Sequence, residues 1–163
     1  MKRTYDESVV ADCLKRLKGH LRLTADDLDV ELRAKLLAAV RSAENQIGTV
    51  IVRSSFTGSF DFSSSIYLGA PLIEVKSVEV DGVSLSKGFA VNKRAGTIVF
   101  DGTVSGVEVE VTYEAGLDQI PDDMMVAVLM IAASFFSNPM DSVQSLPNAS
   151  ANLLRPYRHY EVR

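Results

Sequence analysis

The sequence predicts an α+β fold in which a helical bundle carries an inserted antiparallel sheet of four to six strands. Apolar residues recur at helical spacing up to about Gly48, alternate with polar residues to about Gly116, and form a continuous run after Pro121. The bundle would contain two N-terminal helices, one long apolar C-terminal helix and a short closing helix. We expect a single domain over residues 1–163, with a β region at 49–116 inserted within it.

The first predicted helix has one apolar stripe. Val10, Leu14, Leu17 and Leu21 recur at steps of three and four residues, which is the spacing of one helix face. Cys13 lies beside this stripe, so we expect it in or near the core. No neighbouring residue in the sequence is placed to activate its thiol.

A second amphipathic helix of about five turns follows the segment TADDLD. It ends before Gly48, a natural stop, and its apolar residues recur at close to every fourth position: Leu28, Leu32, Leu36, Val40, Ala43 and Ile47. Asp26, Asp27 and Asp29 suit a helix start, because carboxylates there satisfy free N–H groups and the macrodipole. A metal cluster is the alternative, but the calcium-loop pattern is absent.

The β region is rich in β-branched and aromatic residues. In VEVEVTYEA, we expect Val107, Val109, Val111 and Tyr113 to line the buried face of a strand, with Glu108, Glu110, Thr112 and Glu114 on its solvent face. Glycosidases usually catalyse hydrolysis with a pair of carboxylates, so a small hydrolase is one alternative function. Charge on the solvent face of a strand is the simpler interpretation.

Turn signals divide the rest of the β region. Asp81-Gly82 predicts a hairpin turn, and residues 92–96 predict another turn between two short strands. The serine-rich segment at 56–65 is typical of an exposed loop or strand tip, and no GxSxG elbow surrounds its serines.

The third predicted helix begins at Pro121 and ends at Asn138-Pro139. Asp122 and Asp123 complement its positive start. Its body, MMVAVLMIAASFF, is apolar on nearly every face and therefore must be central in the core or packed in an oligomer. The run is too short to span a bilayer, which takes about 20 apolar residues.

The C-terminal tail interleaves cations with aromatic residues: Arg155, Tyr157, Arg158, His159, Tyr160 and Arg163. Such residues can stack on bases and hold phosphates, which would suit a DNA-binding packaging accessory. A terminus that docks by burying Leu and Tyr and pairing Arg with acidic groups on a neighbour explains the same residues, and we favour docking.

Composition narrows the function classes. The formal net charge of −4 argues against a monomer that coats nucleic acid. Cys13 is the only cysteine, so an intrachain disulfide is excluded, and two histidines are too few for a Cys/His zinc site. The N-terminus lacks the apolar core of a signal peptide. We expect a protein of a reducing compartment that binds no cofactor and no metal.

Five groups of residues follow one another along the chain: Lys18, His20, Leu21 and Arg22; Ala38, Ala39, Glu44 and Gly48; Pro71, Val75, Ser77 and Val78; Val111, Thr112, Tyr113, Ala115, Gly116, Pro121, Ala127 and Leu129; Leu153, Leu154, Pro156, Tyr157 and Arg158. In this order they resemble the head-tail connector family of tailed phages, the adaptor or DNA-packaging proteins, in the branch with an inserted β-sheet. The similarity extends over nearly the whole chain.

This resemblance implies a structural protein of a phage or prophage, and no catalytic residues. Its subunits would form a ring of about a dozen copies below the portal protein. Further partners would be a tail-completion or stopper protein and, at most non-specifically, DNA in the lumen, with no membrane partner. The protein would reside in the virion at the head–tail junction and, during assembly, in the host cytoplasm. The residues that we expect at an oligomer or portal contact are Arg155, Tyr157, Arg158, Tyr160, Phe135 and Phe136.

Overall fold

The computed structural model of the chain describes residues 1–138 and 148–158. These residues form two compact units. The sheet unit consists of Met1–Asp6 and Val52–Asp118, and the helix unit consists of Glu7–Ile51 and the described residues from Gln119 onward. The prediction of one domain over residues 1–163, with 49–116 inserted, stays a prediction.

The helix unit contains four α-helices: α1 (Glu7–Leu21), α2 (Asp29–Ile47), α3 (Asp122–Ser137) and α4 (Asn148–Leu154), followed by a 3₁₀ turn at Arg155–Tyr157. Helix α3 packs against each of the other three helices. The apolar spacing seen in the sequence faces this core, where the fully buried side chains include Leu17, Leu32, Leu36, Ile47, Met124, Ile131 and Leu154.

The sheet unit contains eight strands: β1 (Lys2–Tyr5), β2 (Ser54–Asp61), β3 (Ser65–Tyr67), β4 (Leu72–Val80), β5 (Val83–Ser84), β6 (Phe89–Asn92), β7 (Thr97–Phe100) and β8 (Glu108–Ala115). A five-stranded sheet has the order β1-β2-β8-β4-β5, and a three-stranded sheet has the order β3-β7-β6. All strand pairs within the two sheets are antiparallel.

Tyr113, on the central strand β8, is a buried link within the sheet unit. Its ring stacks on Phe56 at a centroid distance of 5.1 Å, and its hydroxyl donates a 2.6 Å hydrogen bond to the carbonyl of Leu68. Leu68 follows β3 directly. Tyr113 therefore joins the five-stranded sheet to the end of a strand of the other sheet. Burial raises the pKa of its phenol to about 12, so the hydroxyl remains a donor at neutral pH.

The predicted turns in the β region are confirmed. Asp81 and Gly82 connect β4 to β5 in a two-residue hairpin, with φ angles of 50° and 78°, as the Asp-Gly signal predicts. The segment at 93–96 joins β6 to β7, and the Asn92 side chain accepts a hydrogen bond from the Ala95 amide.

The predicted helical bundle with one long apolar helix and one inserted sheet is wrong. Helix α3 has 16 residues and is shorter than α2, which has 19, and Val126 on α3 is exposed. The strands number eight and divide between two sheets. An apolar run in the sequence indicates burial but does not fix the length of the helix. Alternation of polar and apolar residues indicates a strand but does not identify its neighbours in the sheet.

Two strand assignments also differ from the prediction. The first residues were expected to be helical, but Lys2–Tyr5 forms β1, whose partner β2 lies some fifty residues later in the chain. The serine-rich segment, expected as an exposed loop or strand tip, contributes Phe56–Asp61 to β2, which lies between β1 and β8. In both cases a distant partner strand, which local pattern does not identify, decides the conformation.

The predicted end of α2 is confirmed. At its start, Asp29 lies in the first turn as predicted, but the predicted side-chain capping is wrong. Gly48 ends the helix in the left-handed region, at φ 70°, and its N–H donates to the Glu44 carbonyl. At the start, Leu28 occupies the cap position and makes no side-chain cap. Asp26 and Asp29 instead accept hydrogen bonds from Lys18, with the ammonium 2.8 Å from Asp29, because the Lys18 charge at the end of α1 is a stronger partner than free amides.

Candidate interaction surfaces

Among the C-terminal residues predicted to contact a partner, Tyr157 is anchored to its own chain. The Tyr157 hydroxyl donates one hydrogen bond that is shared between the two carboxylate oxygens of Asp123, at 2.7 and 2.9 Å, in the first turn of α3. This contact raises the pKa of the Tyr157 phenol above its ordinary value, chiefly through the hydrogen bond to Asp123. It holds the 3₁₀ turn against α3 and leaves Arg155 and Arg158 exposed.

The predicted contact residues do not form one site. Phe135 and Phe136 are half-buried near the C-terminal end of α3, whereas Tyr157 meets its N-terminal turn. Phe135 lies twelve positions after Asp123 on the same helix, which corresponds to a separation of about 18 Å along the helix axis. Tyr160 lies outside the described residues. The structure therefore brings Arg155, Tyr157 and Arg158 together and separates them from the two phenylalanines.

The solvent face of the five-stranded sheet, here called the acidic face, places like charges directly opposite one another. In the strand register Asp61 pairs with Glu108, and Glu110 pairs with Glu79. None of these four carboxylates makes an ion pair with a described residue. Cross-strand like charges cost roughly 0.2–1 kcal/mol each in an isolated sheet, so this arrangement destabilises the free subunit.

The other end of the acidic face is neutralised. Glu114 lies 2.5 Å from the Lys76 ammonium and 2.8 Å from the Arg53 guanidinium, beside a shallow cleft of about 210 Å³. Lys76 and Arg53 lower the pKa of the Glu114 carboxyl, mainly through hydrogen bonds. A general acid of a hydrolase needs a raised pKa, so Glu114 has the opposite chemistry.

Two exposed valines flank the β4–β5 turn and are here called the valine tip. Val83 is 64% exposed and Val107 is 79% exposed. The Asp81 carboxylate accepts hydrogen bonds from the amides of Val107 and Glu108, at 3.1 and 2.9 Å, and so holds this backbone. Val107 was predicted on the buried face of a strand, and this prediction is wrong. Strand β8 begins one residue later, at Glu108, and its pairing with β2 does not extend to Val107.

The solvent face of the three-stranded sheet, here called the uncharged face, carries no ionisable side chain of Asp, Glu, Lys or Arg. The strand register brings together two rows of three residues: Ser65, Val99 and Ala90; Tyr67, Thr97 and Asn92. Val99 is 45% exposed and Tyr67 is 40% exposed. Lys93 and Arg94 follow this face at the β6–β7 turn, are exposed, and form no ion pair with a described residue.

The valine tip and the uncharged face were not identified from the sequence as functional surfaces. The Asp81-Gly82 dipeptide located the turn, but exposure of the valines depends on where β2 and β8 stop pairing. The uncharged face consists of alternate residues in three short strands that are distant in sequence. In the sequence, the alternation of polar and apolar residues was the only indication of the uncharged face.

Other kinds of site find no support in the part of the chain that the structure describes. No group of three or more His, Cys, Asp or Glu side chains there is placed to hold a metal ion. Within the same residues, every helix is too short or too polar to cross a bilayer. Cys13 is buried, and burial raises the pKa of its thiol to about 11.

Solved structures of gene transfer agent (GTA) particles share this fold over the whole chain. A chain of the structure described as "Neck of empty GTA particle computed with C6 symmetry" aligns with a TM-score of 0.75 and 20% identity, covering 100% of this chain and 98% of that chain. A chain of "Neck of native GTA particle computed with C12 symmetry" aligns with a TM-score of 0.72 and 19% identity, with the same coverage.

A chain of a third structure, "Virion of native gene transfer agent (GTA) particle", aligns with a TM-score of 0.69 and 19% identity, again covering 100% of this chain and 98% of that chain. No protein-family model and no curated protein matches the sequence. At these identities, the likeness establishes a shared fold.

Proposed function

We propose that the protein is a structural subunit of the neck of a phage-like particle, where it forms a ring between the head and the tail. The observation that carries this proposal is the end-to-end match, at a TM-score of 0.75, to a chain from the neck of such a particle. The match covers 100% of this chain and 98% of the neck chain.

We infer a ring of about twelve copies, since one matching neck was computed with C12 symmetry. Its partners would be copies of itself, the portal protein above and a tail-completion or stopper protein below, with DNA passing through the lumen. A single connector-like domain over 1–163 and a place in the virion, with assembly in the host cytoplasm, belong to the same proposal. So does the absence of catalysis and of a cofactor.

The carboxylate chemistry supports a structural role over a hydrolase. Glu114 is held in two ion pairs that favour its charged form, and Glu108 and Glu110 are exposed on a sheet face. Hydrolytic general acid–base catalysis needs two carboxylates with pKa values shifted apart beside a substrate cleft. The shallow cleft beside Glu114 adjoins a carboxylate whose pKa is lowered.

The experiment that tests this function is assembly on the portal. The full chain is mixed with the portal protein encoded in the same phage or prophage, and the product is examined by native mass spectrometry and electron microscopy. We expect a ring of about twelve subunits attached to the portal. A chain that stays unbound over the whole concentration range would overturn the proposal.

The Arg155, Tyr157 and Arg158 cluster belongs to this proposal as a contact for the portal or a neighbouring subunit. Replacing both exposed arginines with alanine should weaken portal binding, whereas Arg41→Ala, which removes an exposed cation from α2, should not. The DNA-binding alternative is tested with the same variants. A salt-dependent DNA gel shift that disappears only in the double variant would favour the accessory function.

A further inference from the structure

We propose that the valine tip of one subunit docks onto the uncharged face of the next subunit, so that the sheet units supply the head-to-tail contact of the ring. This inference rests on the proposed neck function. A head-to-tail ring needs two different and complementary surfaces on every subunit. The sheet unit carries two exposed surfaces of this kind, at the β4–β5 turn and on the three-stranded sheet.

The valine tip is preorganised for binding. The Asp81 carboxylate bonds two consecutive amides, and the Asp81 amide donates back to the Glu108 carbonyl at 3.0 Å. Gly106 allows this close approach, because a Cβ there would lie 2.2 Å from a methyl of Val80. Val83 and Val107 are thus apolar anchors on a backbone that is already ordered, and little conformational entropy remains to be lost on docking.

The uncharged face suits an apolar anchor. Val99, on the central strand β7, has Ser65 and Ala90 as its cross-strand neighbours, and Tyr67 lies in the adjacent row. These side chains are small, except for a tyrosine, which is a residue type enriched in protein interfaces. An apolar anchor placed here would desolvate no charged group of this face.

Charge complementarity identifies the occupant as a second copy of the chain. Glu108 adjoins Val107 in the valine tip, and its cross-strand neighbour Asp61 carries the same charge. Lys93 and Arg94 adjoin the uncharged face, and none of these four side chains forms an ion pair with a described residue. Docking one surface on the other brings the two carboxylates towards the two cations, and so relieves the repulsion between Asp61 and Glu108 within the free subunit.

Cross-linking between engineered cysteines tests this contact directly. Cys13 is the only natural cysteine and is buried, so it leaves a clean background at pH 7. Val107→Cys and Val99→Cys are introduced singly and together, assembled on the portal protein, and treated with a short bismaleimide. On a denaturing gel, the double variant should give a ladder of covalent oligomers reaching about twelve subunits, and each single variant should run as a monomer.

Each other outcome counts against the contact. Rings without a ladder in the double variant would overturn it. Dimers formed by Val107→Cys alone would indicate a two-fold contact, and a cross-link to the portal protein would assign the tip to that partner; both results also overturn it. If the unmodified chain forms no ring on the portal, the proposed function fails first, which separates the two failures.

A charge placed in the contact provides the second test. Val107→Asp should reduce ring formation at least about tenfold, because an apolar anchor becomes a desolvated charge. Val30→Asp is the matched control: Val30 is 86% exposed in the first turn of α2, where a carboxylate is favourable. Both variants should unfold at the temperature of the unmodified chain. Equal ring yields from the two variants would overturn the proposal.

Discussion

The two sheets of the sheet unit expose opposite chemistry to solvent. The five-stranded sheet shows carboxylates, two pairs of which repel across strands, whereas the three-stranded sheet shows six residues without a formal charge. Charges on an open sheet discourage association with other sheets, and a face with Val99 and Tyr67 exposed has no such protection. Charge repulsion therefore opposes close contact at the first face and does not oppose it at the second.

The largest loss of folding stability is expected at a turn of the three-stranded sheet where a side chain has no room. Gly96, in the β6–β7 turn, has φ 68°, and a Cβ there would lie 2.3 Å from the Gly69 carbonyl oxygen. Gly96→Ala should therefore lower the free energy of unfolding by about 3 kcal/mol or more, because backbone must move.

Gly82→Ala is the matched control for this prediction. Gly82 has a similar φ of 78°, but its Cβ would meet no atom within 4 Å, so the expected loss is about 1–2 kcal/mol. Urea unfolding of both variants measures the difference. Equal losses would show that the close approach of the turn to Gly69 is unimportant.

A smaller effect is expected where the two sheets are joined. Tyr113→Phe removes the donor to the Leu68 carbonyl and leaves that buried oxygen without this partner. The free energy of unfolding should fall by about 1–3 kcal/mol, with the ring stacking on Phe56 retained. An unchanged urea midpoint would mean that the hydrogen bond does not couple the sheets energetically.

On the acidic face, a substitution should have opposite effects on folding and on assembly. Glu108→Gln removes the repulsion with Asp61 and should stabilise the free subunit by about 0.3 kcal/mol, an increase that salt diminishes. The same change should weaken the ring, because one carboxylate next to the cations of the neighbour is lost. Glu31→Gln, in the first turn of α2, should instead destabilise the subunit slightly. Stronger assembly by Glu108→Gln would contradict the charge argument.

The smallest expected effect is a change in the pH dependence of stability, caused by the ion pairs of Glu114 on the acidic face. Lys76 and Arg53 lower the folded-state pKa of Glu114 below its ordinary value of 4.5. The two ion pairs therefore stabilise the fold above that value, and the stabilisation is lost as the pH falls through the folded-state pKa. Glu114→Gln should flatten the dependence of the urea midpoint on pH between about 5 and 3. Identical pH profiles for Glu114→Gln and the unmodified chain would refute this assignment.

Local chemistry made much of the fold predictable. The apolar spacing of α1 and α2, the stop at Gly48 and the Asp81-Gly82 turn all appear as expected. Each depends on residues within a few positions of one another, through side-chain periodicity or backbone freedom at glycine. The resemblance to head-tail connectors also came from the sequence, through residues that extend from Lys18 to Arg158.

The tertiary structure decided what local chemistry leaves open. It assigned Lys2–Tyr5 to a strand, divided eight strands between two sheets, and moved Val107 from the expected core to the surface. These outcomes depend on where distant strands begin and stop pairing, and that balance is set by contacts across tens of residues. The sequence by itself therefore determined the main helices and the hairpin turns, and strand pairing determined which surfaces the protein exposes.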